Sequence, residues 1–171
     1  PQEGQMSLVS LITSGLLDDY PELKFVFTEA GVAFIKPLVS HLNAWFDNSV
    51  VDYESEDAAP RFNYRKLAGG KRIVSESDYK AKNKMSPDHY FKKNFFFTIE
   101  TEEAELPEAM ELFGATQFLF ATDYPHDDPG GKMKYKDVEL LDKNPHISEA
   151  DKDLLRYKNA ERLLATIKAA A

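Results

Sequence analysis

The sequence contains no cysteine, so disulfides and thiolate metal sites are excluded and the redox compartment stays open. No apolar run approaches the roughly 20 residues of a membrane-spanning helix, and no signal peptide precedes the first predicted helix. We therefore expect a soluble, cytoplasmic protein. Basic residues are outnumbered, 21 against 29 acidic ones for a net charge of −8, and they are spread along the chain rather than clustered. That balance argues against nucleic acid and against an anionic membrane surface as partners. Internal repeats and low-complexity tracts are also lacking. The chain opens at Pro1, in PQEGQ, without an initiator methionine, and we expect a processed piece or one part of something larger.

What is present is 171 residues, 43% hydrophobic and 29% charged, enough for one domain with a real core. Its organising stretch is Gln117 to Gly131, QFLFATDYPHDDPGG. Phe118, Leu119 and Phe120 form a short apolar run of the kind buried in a parallel sheet. The run stops at Asp123, and the loop after it, with Pro125, His126, Asp127, Asp128 and Pro129, cannot continue a strand. An acid is thus presented at the carboxyl end of a strand, where open α/β sheets and α/β barrels hold their ligands.

The remaining elements alternate. Met6 to Leu17 reads as a helix that Ser7 can cap, with Gly15 near its end. Leu23 to Thr28 reads as a buried parallel strand ending at Glu29-Ala30-Gly31. Val32 to Phe46 is predicted as a helix, with Pro37 tolerable in its first turn. From about Asn48 to Pro87 neither periodicity is sustained, and an irregular functional or flexible segment is expected. A short helix then opens at Ser86-Pro87-Asp88, FFFTIE at 95–100 is a second strand, and Glu105 to Phe113 is a helix closed by Gly114. Gln117 to Thr122 is the third strand. Ser148 to Asp151 is an N-cap signature for a last helix that uses Leu154, Leu155, Tyr157, Ala160, Leu164 and Ile167. Alternating short strands and amphipathic helices imply α/β architecture with a parallel sheet. Three strands leave two unprotected edges, so part of a larger sheet or barrel is expected.

The segments YPELKFVFTEAG, SPDHYFKKNFFFTIETEE, GATQFLFATDYPHDD and ISEADKDLLRYKNAERLL occur in the order found in the amidohydrolase-2 family, which this chain resembles over nearly all its length outside 48–85. The family comprises metal-dependent (β/α)8-barrel hydrolases and nonoxidative decarboxylases, including relatives of aminocarboxymuconate-semialdehyde decarboxylase. The resemblance implies that the three strands are about strands six to eight of the barrel. It implies that Asp123 is the strand-eight aspartate that binds the metal or takes a proton, and that Glu29 stands where many relatives carry a histidine acting as base and others carry glutamate. It also implies a divalent metal, zinc first with manganese or iron as alternatives. Relatives place a His-x-His pair after strand one and another histidine after strand four or five. Here His41, His89, His126 and His146 do not follow that pattern, and one aspartate cannot hold a catalytic metal alone. Most metal ligands are therefore expected from outside this chain.

Each candidate also has a plainer reading. Asp123 could be a turn cap, and His126 could bind substrate or bond to its own turn. Asp127 and Asp128 read as solvated charges. Glu29 is either functional, being costly to bury unpaired, or a helix N-terminal cap. His41, His89 and His146 read as helix-side and boundary residues, the FFFTIE aromatics as barrel core, and Lys132, Lys134 and Lys136 as a solvated face. Three functions are open: part of a metal-dependent hydrolase or decarboxylase acting on a small carboxylate or amide-like substrate, a non-catalytic partner subunit, or a small α/β binding module without metal. The expected partner of the first is the N-terminal half of the barrel as a separate chain, or further copies of this one.

Overall fold

The computed structural model describes residues 2–49, 81–100, 103–122 and 137–170. Most of the expected irregular segment at 48–87 lies outside them, as do Asp123, His126, Asp127, Asp128, Lys132, Lys134 and Lys136. Among the described residues no helix is long and apolar enough to cross a membrane.

The chain starts with α1 (Gln2–Thr13), which buries Leu8 and Ile12, one helical turn apart. It begins earlier than the sequence pattern indicates, so Ser7 is an exposed residue within it rather than its cap. Gly15, at φ 82, then breaks the expected continuous helix and starts the single turn α2 (Leu16–Asp19). Strand β1 (Phe25–Phe27) comes next, then α3 (Ile35–Ser49). Pro37 sits in the first turn of α3, where its missing N–H costs no helical bond. Val32, Ile35, Val39 and Leu42 bury one face at three- and four-residue spacing.

Pro87 opens α4 (Pro87–Asn94), which runs directly into β2 (Phe95–Ile99). Helix α5 (Leu106–Phe113) carries Pro107 in its first turn and buries Leu106, Ala109, Met110 and Phe113. Gly114, at φ 79, ends it by donating its N–H to the Met110 carbonyl at 2.8 Å. A 3-10 turn, Ala115–Gln117, leads into β3 (Phe118–Phe120). Helix α6 (Asp137–Lys143) has no counterpart among the expected elements. The last helix is capped as expected, Ser148 Oγ accepting the Asp151 N–H at 3.2 Å. It then runs as α7 (Glu149–Asp153), a π-turn (Leu154–Lys158) and α8 (Asn159–Ala170).

The three strands form one parallel sheet in the order β1-β2-β3, with Phe27 beside Phe97 and Phe97 beside Phe118. Side chains alternate between two faces. Phe95, Phe97 and Phe118 pack into the main core with Phe91 of α4 and Phe113 of α5, the Phe91 ring lying 5.8 Å from Phe97 and 5.4 Å from Phe113. Phe96 and Leu119 point the other way and meet Leu163 of α8 in a second, smaller cluster. The FFFTIE aromatics thus serve two cores, not one. Val26, the register partner of Phe96, remains 43% exposed. The expected fully buried first strand is therefore only half-buried, because Leu163 reaches the second face of β2 and β3 alone.

At the amino ends of the strands, buried amides hold the incoming chain. Asn94 Nδ2 donates to the Pro21 and Leu23 carbonyls at 3.0 and 2.7 Å, ahead of β1. Gln117 Nε2 donates to the Lys92 carbonyl at 2.6 Å, ahead of β2. Asn159 Nδ2 donates to the Ala115 and Phe118 carbonyls at 2.8 and 2.7 Å, where β3 begins.

Candidate active site

The carboxyl ends of the strands are built from two loops pinned to each other. The chain leaves β1 at Phe27 and turns at Glu29, whose φ of 54 is positive; among the described residues no other non-glycine residue has that sign. A left-handed backbone costs an L-residue about 1 kcal/mol or more, so something must hold it there. The Glu29 N–H donates to Thr98 Oγ1, on β2, at 3.1 Å. Two residues further on, Gly31 is also left-handed at φ 72.

The Val32 N–H then donates to Glu103 Oε2 at 2.6 Å, while the Glu100 N–H donates to Glu103 Oε1 at 3.0 Å. One carboxylate therefore accepts from both loops. It is Glu103, not Glu29, that binds the free amide ahead of α3, a favourable place for negative charge.

These loops border a cavity of about 440 Å³, within the range of small-ligand pockets. Glu29 and Gly31 line it from the first loop, Thr98 from β2, Glu100 and Glu103 from the second loop, and Ala121 from beyond β3. Ala121 lies two residues before Asp123, which falls outside the described residues together with His126. Of the expected site residues, Glu29 is thus at the cavity. His41, His89 and His146 are exposed; none of them lines the cavity.

The described wall is acidic. Among the described residues no group of three or more histidine, cysteine, aspartate or glutamate side chains could hold a metal ion. These residues do not fit a metal centre by themselves. Thr98 and Glu103 were not singled out from the sequence. The amides of the first loop that they bind lie about 70 positions away in the sequence.

Parallel strands that deliver polar loops to a cavity at their carboxyl ends define an α/β protein whose cavity lies where such folds hold their ligands. The chain belongs to the amidohydrolase family, whose model matches residues 5–166. It is 26% identical over 166 residues to a γ-resorcylate decarboxylase from Polaromonas, an alignment covering 95% of this chain and 40% of that protein. An amidohydrolase structure from Mycobacterium avium superposes with a TM-score of 0.64 at 21% identity, covering 94% of this chain and 33% of that one. A dihydroxybenzoic acid decarboxylase structure from Polaromonas, with bound manganese and the inhibitor 2-nitroresorcinol, superposes with a TM-score of 0.57 at 24% identity, covering 96% and 40%. The structural neighbours are amidohydrolase TIM-barrel proteins, and this chain spans well under half the length of these relatives.

Proposed function

We propose that this chain is the C-terminal part of a (β/α)8 barrel, about strands six to eight with their helices, and works in nonoxidative decarboxylation of a small hydroxylated aromatic carboxylate. Supporting the choice of decarboxylation over hydrolysis is the alignment of 95% of the chain with γ-resorcylate decarboxylase. The barrel assignment is supported by Val26, 43% exposed on the face that a closed barrel turns inward.

In this reading Glu29 and Asp123 carry protons. The bond from the ring to the carboxylate carbon breaks, carbon dioxide leaves, and a proton replaces it on the ring carbon. His126 contacts the substrate. Asp123 is also the one metal ligand assigned to this chain; the others come from a separate N-terminal half or from a second copy. Manganese in the Polaromonas decarboxylase makes that ion at least as good a candidate as the zinc expected from sequence. The acidic wall leaves no attractive place for the substrate's carboxylate beside Glu29, Glu100 and Glu103, whereas ring hydroxyls can donate to it.

The test pairs intact mass spectrometry of the natively purified protein with turnover of 2,6-dihydroxybenzoate in the presence of manganese or zinc. Resorcinol release that falls at least a hundredfold in Glu29→Gln and in Asp123→Asn, from a preparation holding a second polypeptide with a His-x-His stretch or an oligomer of this chain, is the expected result. A lone 19.4 kDa monomer without turnover, or turnover indifferent to both substitutions, would overturn the proposal.

A further inference from the structure

Between two hydrogen bonds that it donates to β2 and to the loop after it, the chain makes its only described pair of left-handed turns separated by one residue, at Glu29 and Gly31. Thr98 fixes the amide of Glu29 itself, and Glu103 fixes the amide of Val32 just past Gly31. Glu103 is held in turn by the Glu100 amide, so the clamp on the first loop is anchored in the second. A Cβ on Gly31 would stand 3.5 Å from Glu103 Oε2, an ordinary contact. The tight point is therefore the backbone conformation rather than space, and it is the conformation that the two acceptors control.

We propose that Thr98 and Glu103 are positioning residues, which together hold Glu29 left-handed at the rim of the cavity and so aim its carboxylate. This rests on the reading of Glu29 as the proton-carrying residue. Without either acceptor, the segment 29–32 has a lower-energy right-handed alternative open to Glu29, and its side chain leaves the rim. The two acceptors act on one short segment, so loss of either is felt at Glu29 even though Glu103 bonds to Val32 and Glu100.

Amide hydrogen exchange and side-chain carboxyl resonances of the full chain, read by NMR without substrate, test this. In Thr98→Val the Glu29 amide exchanges about tenfold faster, as loss of one hydrogen bond requires, and Thr98→Ser restores the wild-type rate. In Glu103→Ala the Val32 and Glu100 amides exchange faster and the Glu29 amide and carboxyl signals move as well. Should Glu103→Ala fail to give a folded spectrum, Glu103→Gln, which keeps the length and one acceptor oxygen, is expected to move the Glu29 signals less far in the same direction. Glu29 signals unchanged in both Glu103 variants, or equal exchange in Thr98→Ser and Thr98→Val, would overturn the proposal. Because no substrate enters this measurement, failure of the wild type to decarboxylate 2,6-dihydroxybenzoate would sink the proposed function and leave this result standing.

Discussion

The two ends of the sheet are built in opposite ways. At the amino end, side-chain amides of Asn94, Gln117 and Asn159 are at most 4% exposed and donate to main-chain carbonyls ahead of each strand. Burial makes each of these bonds expensive to lose. At the carboxyl end, exposed Glu29 is held in a conformation its own chemistry disfavours, beside a cavity lined with two further acids. One end spends its polar groups on order, and the other holds strain and clustered carboxylates where a ligand can use them. In α/β barrels that division separates stability from activity.

The sharpest way to break this contrast is to remove an amide. Asn159→Ala deletes both bonds to Ala115 and Phe118 and strands two buried carbonyls; Asn94→Ala deletes the two part-buried bonds to the Pro21 and Leu23 carbonyls ahead of β1. Each is expected to cost about 2–4 kcal/mol in urea unfolding. A loss below about 0.5 kcal/mol, the scale of a surface change, would mean that the amino end is not where the fold is held.

A somewhat smaller effect is expected at Tyr90, on the helix leading into β2. Its hydroxyl donates to Asp18 Oδ1 at 2.7 Å and accepts the Met85 N–H at 3.0 Å, while Asp18 Oδ2 accepts the Lys84 N–H at 2.9 Å. Burial, reinforced by the Asp18 carboxylate, pushes its pKa up from 10.0 to about 12. The folded state therefore favours the protonated phenol. That stabilisation is complete below pH 10 and disappears as pH rises to 12, a loss of about 2 kcal/mol. Tyr90→Phe should be less stable than wild type at about pH 9 by a similar amount, with the gap closing by about pH 12 in denaturant titrations. A gap that stays constant with pH would show that the phenol's ionisation is uncoupled from folding.

How much of this could be read from sequence depends on how local each cause is. The apolar runs of β2 and β3, Pro107 with Gly114, and the Ser148 cap announce themselves within a few residues, and they stand where expected. The last helix was harder. The expected set is Leu154, Leu155, Tyr157, Ala160, Leu164 and Ile167, but the π-turn at Leu154–Lys158 winds the chain more widely and rotates the helical turns beyond it. The buried residues among those described are Lys152, Leu155, Asn159 and Leu163, of which only Leu155 belongs to that set, leaving Tyr157 and Leu164 46% and 56% exposed. That rotation is also what brings Asn159 under β3. Asn159 is polar, so no hydrophobic pattern could have marked it. At the other end Glu29 was legible, as an acid closing an apolar strand, whereas Thr98 and Glu103 acquire meaning only when segments about 70 residues apart meet.

The smallest expected effect has the opposite sign and bears most directly on the contrast. Glu29→Gly removes the Cβ that makes φ 54 costly. Relief of about 1–2 kcal/mol of left-handed strain is offset in part by the extra freedom glycine gives the unfolded chain, leaving a net gain of about 0.5 kcal/mol. For a chain of this length that raises the melting midpoint by about 1–2 °C. The same substitution deletes the carboxylate that the proposed reaction needs, so stability should rise as turnover falls, the behaviour of a residue whose strain is kept for function. A midpoint lowered by several degrees would place Glu29 among the groups that hold the fold. The two ends of the sheet would then no longer differ in kind.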